Sequence, residues 1–177
     1  MTINILILCS GNYCRSPLAE GLLQKRIRQA GLDARVYSAG MTRVWEGRPA
    51  NPLFMRIVHE MGAAGFKHWP HQATLSEIYG ADLILVMSPI HLQWLAQEHP
   101  GILDRAHLLS ELVGGQFEVP DPIPNRPADA PPIEDDRPVR VVAQMIDHIL
   151  EHGLEMMVTL AMAHRARSRA AMRELAA

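Results

Sequence analysis

Apolar residues fill every position from Ile3 to Leu8 except Asn4. A run so short and so continuous predicts a strand covered on both faces, as in a parallel sheet. The period then changes: after Ser16-Pro17, Leu18, Leu22, Leu23 and Ile27 recur at helical spacing to about Ala30, where Gly31 is placed to end the helix. Ser16 reads as its N-cap and Pro17 as its first helical residue. Ala34 to Ser38 is a second strand. Asn51-Pro52 repeats the cap-and-proline start, with Phe54, Ile57, Val58 and Met61 on one face of a second helix that stops at Gly62.

Further along, Ser76 opens a short turn or helix, Leu83 to Met87 is a third strand, and Ser88-Pro89 begins a third long helix that ends by Pro100. Ala106 to Leu112 is the fourth strand. The proline-rich, acidic stretch from Glu118 to Pro138 cannot sustain a strand or helix interior and reads as a long loop. The chain finishes in helix from near Val139, with Val142, Met145, Ile146 and Ile149 on one face; Gly153 either kinks it or divides it from an extra C-terminal helix at about 154–177. Strands alternating with helices predict a single doubly wound α/β domain over 1–177, with a four-stranded parallel sheet, helices on both faces and right-handed crossovers. Ligands in such folds bind beyond the carboxyl ends of the strands, which is where Cys9 falls.

Composition narrows the function without supplying it. The chain has 177 residues, 48% of them hydrophobic and 20% charged, which is ordinary for one globular domain. Its formal charge of −2 offers no electrostatic case for binding nucleic acid. Arg165, Arg167, Arg169 and Arg173 read as a solvated helix end. The longest apolar runs fall far short of the ~20 residues that span a bilayer, and no export signal opens the chain, so no membrane insertion and a cytoplasmic location are expected. In a reducing compartment the only two cysteines, Cys9 and Cys14, suggest chemistry in preference to a structural staple.

The chemistry gathers in Cys9-Ser10-Gly11-Asn12-Tyr13-Cys14-Arg15, between the first strand and the first helix. A loop running into a helix N-terminus points successive backbone N–H groups at an anion, with the helix dipole behind them. Ser10 to Arg15 would form that cradle. Gly11 and Asn12 tolerate the left-handed backbone it needs, and Arg15 adds a planar fork for two phosphate oxygens. The same positive field favours a Cys9 thiolate, and Ser16 could donate its hydroxyl to the sulfur. Displacing phosphate from an ester also needs a proton donor, and Asp121, in Pro120-Asp121-Pro122 of the late loop, is placed to reach over the sheet. The nine histidines show no metal-ligand spacing, so neither metal nor cofactor is expected.

Leu8 to Pro17 resembles the signature loop of the low-molecular-weight protein tyrosine phosphatases. Ser38-Ala39-Gly40, Asp82 to Met87 and Asp121-Pro122 stand where that family has similar segments, and Glu118 to Pro122 is especially similar to bacterial members of capsule and exopolysaccharide systems. The resemblance implies the phosphotyrosine protein phosphatase I-like fold and hydrolysis of phosphotyrosine through a phospho-cysteine intermediate. Its roles transfer as Cys9 nucleophile, Arg15 phosphate binder and Asp121 general acid, with Asn12 and Ser16 supporting the loop. The implied partner is a phosphotyrosine-containing protein, such as an autophosphorylating tyrosine kinase of polysaccharide export, acting with a monomer or weak homodimer.

The chain departs from that pattern where many members carry an aromatic residue after Asp-Pro: here Ile123 and Pro124 follow. Tyr13 and Trp45 are the candidates for the missing aromatic walls, with Ile123 opposite. Cys14 either packs or forms a reversible disulfide with Cys9. The alternative activities are an arsenate reductase-like enzyme, a phosphoarginine phosphatase, and a phosphoprotein-binding module without turnover. The first uses further cysteines that this chain lacks; the complete Cys9, Arg15 and Asp121 set argues against the last. His68 and His71 are read as structural or surface-loop histidines.

Overall fold

A computed structural model describes residues 2–124, 130 and 133–175. Four parallel strands, β1 (Ile3–Cys9), β2 (Ala34–Gly40), β3 (Leu83–Val86) and β4 (Ala106–Leu108), lie in the order β2-β1-β3-β4. The helices are α1 (Arg15–Ala30), α2 (Pro52–Glu60), α3 (Leu75–Gly80), α4 (Pro89–Glu98) and α5 (Arg137–Leu175). Alternation along β1 divides the core. Ile3, Ile5, Ile7 and Cys9 face α1, α2 and α5, whereas Leu6 and Leu8 face Ile78 of α3, Leu95 of α4 and Ile102. Every β1 position except Asn4 is buried, so the continuous apolar run follows from two covered faces. The chain leaves β1 toward β2 on one side and β3 on the other, making the carboxyl end of β1 the switch point of the sheet. Among the described residues no helix is long and apolar enough to cross a membrane.

Two local expectations need correction. The fourth strand ends at Leu108, and Leu109–Val113 turns into a 3₁₀ helix. Glu111 reaches back to accept from the Leu108 N–H at 3.1 Å, while the Ser110 hydroxyl bonds Phe117 on both its N–H and its carbonyl. Such short-range side-chain bonds compete with a strand ladder, and hydrophobicity alone does not register them. Ser16 is also not the cap of α1: the helix begins at Arg15, with Cys14 as N-cap, and Ser16 lies inside the first turn facing Cys9.

Gly153 does not divide α5, since the helix runs unbroken for 39 residues. A Cβ on Gly153 would come within 2.5 Å of the Leu112 Cβ and 3.1 Å of its carbonyl oxygen. The missing side chain therefore seats α5 against the turn after β4. Gly-to-Ala in a helix ordinarily stabilises by about 1 kcal/mol. Here Gly153→Ala is expected to destabilise, by roughly 1–3 kcal/mol from overpacking against backbone. A denaturant midpoint at or above that of the unsubstituted chain would contradict this packing account.

Candidate active site

Residues 10–14 carry the chain from β1 into α1, and Asn12 takes φ 54°, the one non-glycine residue in the left-handed region among those described. That conformation costs an ordinary residue roughly 1–2 kcal/mol, less for asparagine, and here the rest of Asn12 holds it in place. Its Nδ2 donates to Ser16 Oγ at 3.0 Å and to Ser38 Oγ at 2.9 Å, its Oδ1 accepts from the His71 N–H at 3.2 Å, and its carbonyl accepts from His68 Nε2 at 3.0 Å. Ser38 passes its own hydroxyl hydrogen to Glu20 at 2.7 Å, and Glu20 stands 3.5 Å from His68 Nδ1. Asn12 is wholly buried, so each bond forms out of competition with water.

This network reaches the sulfur. Ser16 Oγ accepts from Asn12 and stands 3.0 Å from Cys9 Sγ. Its hydroxyl hydrogen is free to point at the sulfur, the arrangement a thiolate needs. Cys14 differs. Burial, reinforced by the nearby Cys9 and Asp121, pushes its thiol well above the ordinary range, outweighing Arg15, and keeps it protonated. Both cysteines are buried and unbridged.

Arg15 is buried and held at two points. One terminal nitrogen donates to the Val119 carbonyl at 3.3 Å and the other to Asp121 Oδ2 at 3.1 Å. Asp121 reaches it because the late loop is pinned to the sheet: the Val119 N–H donates to the Met87 carbonyl at 2.7 Å, and Val119 is itself buried. Asp121 is exposed, with its other oxygen accepting from the Ile123 N–H at 3.0 Å. A bound anion would compete with the Asp121 carboxylate for Arg15 and release it.

Cys9, Ser10, Gly11, Tyr13, Cys14, Arg15, Asp121 and Ile123 line one cleft of about 160 Å³, joined by Thr42, Val44 and Trp45. The two proposed aromatic walls do not face one another across it. Tyr13 and Trp45 are stacked on each other, with centroids 3.8 Å apart and planes 8° off parallel. They make one double-thickness wall, backed by Phe54 edge-on to Tyr13 and by Asn51 Nδ2 donating to the Tyr13 hydroxyl at 3.0 Å. Trp45 can lie this low because Gly11 has no side chain, since a Cβ there would stand 2.5 Å from its Cδ1. Val44 and Ile123 complete the apolar lining.

Sequence reasoning missed four supporting residues, Glu20, Ser38, His91 and Thr42. His68 had been read as structural, and it holds the loop backbone. A buried Ser-Ala-Gly at the end of β2, beside the switch point, was the available signal for Ser38; Glu20 and His91 lie on helices whose burial the pattern does not resolve. Among the described residues no three His, Cys, Asp or Glu side chains are grouped to hold a metal ion.

Comparison with known proteins agrees with this geometry. Residues 4–152 match the model of the low molecular weight phosphotyrosine protein phosphatases. The probable low molecular weight protein-tyrosine-phosphatase EpsP of Ralstonia solanacearum is 36% identical over 122 residues, spanning 69% of this chain and 79% of that protein. The protein-arginine-phosphatase of Bacillus subtilis is 33% identical over 121 residues, spanning 68% and 79%. The crystal structure of a low molecular weight protein tyrosine phosphatase from T. tengcongensis superposes with a TM-score of 0.73 at 26% identity, covering 87% of this chain and 99% of that one. The chain belongs to the low molecular weight phosphotyrosine protein phosphatase family.

Proposed function

We propose that this phosphatase hydrolyses phosphotyrosine on proteins through a phospho-cysteine intermediate, and that the carrying observation is the relay from Asn12 through Ser16 to Cys9, set beside the Arg15–Asp121 pair. Cys9 Sγ attacks phosphorus while the bond to the ester oxygen breaks, and Asp121 gives that oxygen its proton. Water then attacks the phospho-cysteine, Asp121 takes the proton from the water, and the thiolate leaves with inorganic phosphate formed. Arg15 and the loop N–H groups balance the charge in both steps. Turnover of p-nitrophenyl phosphate by the reduced protein in the presence of chelator tests the reading, and a flat progress curve would reject it.

The lining favours an aryl leaving group. Trp45, Val44 and Ile123 are apolar, and among the described residues the lining holds a single carboxylate, Asp121, which Arg15 already engages. A phosphorylated guanidinium would need further acceptors than that. Phosphotyrosine is therefore preferred over phosphoarginine. Trp45→Ala and Tyr13→Ala are each expected to lower kcat/KM for phosphotyrosine peptides roughly tenfold, the scale of losing one aromatic contact, while sparing small alkyl phosphates. Unchanged efficiency in both variants would remove the aromatic wall from the account. For the physiological substrate, the resemblance of Glu118 to Pro122 to members of polysaccharide systems supports an autophosphorylated tyrosine kinase of export. A Cys9→Ser protein used as a trap tests that by what it retains.

A further inference from the structure

His91 lies one turn into α4, across the switch point from the loop, and is wholly buried. Its Nδ1 is 3.1 Å from the backbone nitrogen of Ser88, whose N–H can only donate, and 3.2 Å from Ser88 Oγ, whose hydroxyl can donate to the same side of the ring. Nδ1 therefore carries the lone pair, and the single proton of the neutral ring sits on Nε2. That nitrogen is 3.1 Å from Ser10 Oγ. Ser10 must accept from it, so its own hydroxyl hydrogen remains to donate, and Ser10 lines the cleft. The ring cannot switch roles at ordinary pH: burial, with Arg15 adding to it, lowers its pKa to about 3. A second proton would also sit on Nδ1 against the Ser88 N–H.

We infer that His91 is a positioning residue that turns the Ser10 hydroxyl into a fixed donor for an oxygen of the phosphoryl group bound in the cleft. The inference rests on the cleft being the phosphate site proposed above. The Asn12–Ser16 relay spends its hydrogen on the sulfur; the His91–Ser10 pair, entering from the opposite side of the sheet, spends its hydrogen on the ligand. A side-chain donor then supplements the backbone N–H groups and Arg15 where the loop has just left β1.

The test reads binding and turnover separately. The dissociation constant of inorganic phosphate is measured by calorimetry, and kcat/KM for p-nitrophenyl phosphate is measured at the same pH. The proteins are the unsubstituted chain, Ser10→Ala, His91→Ala, His91→Gln and the Ser10→Ala/His91→Ala double variant. Ser10→Ala is expected to weaken phosphate binding roughly tenfold, the scale of one hydrogen bond to a charged group. His91→Ala should do the same, the double variant should be no weaker than Ser10→Ala, and His91→Gln, which keeps a donor at similar reach, should recover most of the affinity. Phosphate binding unchanged in Ser10→Ala overturns the inference, whether or not His91→Ala folds. So does a His91→Ala penalty that persists undiminished in the Ser10→Ala background. Failure of the unsubstituted chain to turn over would strike the phosphatase reading alone, because the phosphate affinities still decide the role of His91.

Discussion

Cys9→Ser is expected to bring phosphate ester hydrolysis down to background, a loss of roughly 10⁴-fold or more, while leaving the fold and the affinity for phosphate nearly intact. The reasoning is local. Serine is close to cysteine in size, so the buried end of β1 keeps its packing, and the Ser16 hydroxyl still has an oxygen to address. The loop backbone and Arg15, which bind the anion, are untouched. What is lost is the sulfur nucleophile, because a serine hydroxyl keeps its proton and no base stands beside it. Binding without turnover is the expected pattern, measured by phosphate titration alongside p-nitrophenyl phosphate kinetics. Residual turnover within tenfold of the unsubstituted protein would place the nucleophile elsewhere. An equal loss of binding and turnover would mean that the loop had collapsed, in which case the relay through Ser16 holds the loop as well as the sulfur.

The sheet and its switch point were legible in the sequence because they depend on periodicity, and periodicity survives any choice of neighbours. β1 read as doubly buried from an apolar run interrupted only at Asn4, and the reading held to within a residue. The start of α1 was less legible. Ser-Pro is a sound cap signal in general, but here the Ser16 hydroxyl finds better use against Cys9, and tertiary contacts outweighed the local preference. β4 was over-extended for a similar reason, since Leu109 and Leu112 are as apolar as strand residues yet are buried by a 3₁₀ turn that Glu111 ties back. Gly153 shows the opposite error: a residue read as a break is a point of close contact.

At the site, the residues of the loop and the distant Asp121, Trp45 and Ile123 were legible, but the buried groups that hold the loop from behind were not. Cys9, Asn12, Arg15 and Ser16 share one loop, so their spacing could be argued from what an anion requires. Ser38, His68 and Glu20 arrive from β2, a loop and α1, and only the folded chain shows that they converge on Asn12. The stacking of Tyr13 on Trp45 was likewise invisible, because two aromatic residues 32 positions apart can flank a slot or fill it. That they form one wall alters the substrate argument. On the proposed function, a substrate ring would meet one aromatic face against the aliphatic Val44 and Ile123, a slot that grips a ring less tightly than a sandwich would.

Asp121→Asn is expected to lower kcat roughly 10²- to 10⁴-fold for esters with poorly stabilised leaving groups, such as phosphotyrosine. The effect on p-nitrophenyl phosphate, whose leaving oxygen departs readily as an anion, should be much smaller at the first step. Asparagine keeps the shape of the side chain and can still accept from the Ile123 N–H, so the loop should stay in place. It has no proton to give and no negative charge to hold Arg15. The second loss has its own signature. In the free protein Arg15 is occupied by Asp121 at 3.1 Å, and an incoming dianion must displace that carboxylate. Removing the charge removes the competitor, so phosphate should bind more tightly even as kcat falls, and KM should drop with it. A uniform loss across leaving groups would deny Asp121 the acid role. Weaker phosphate binding would show instead that the pair with Arg15 serves to aim the guanidinium at the anion.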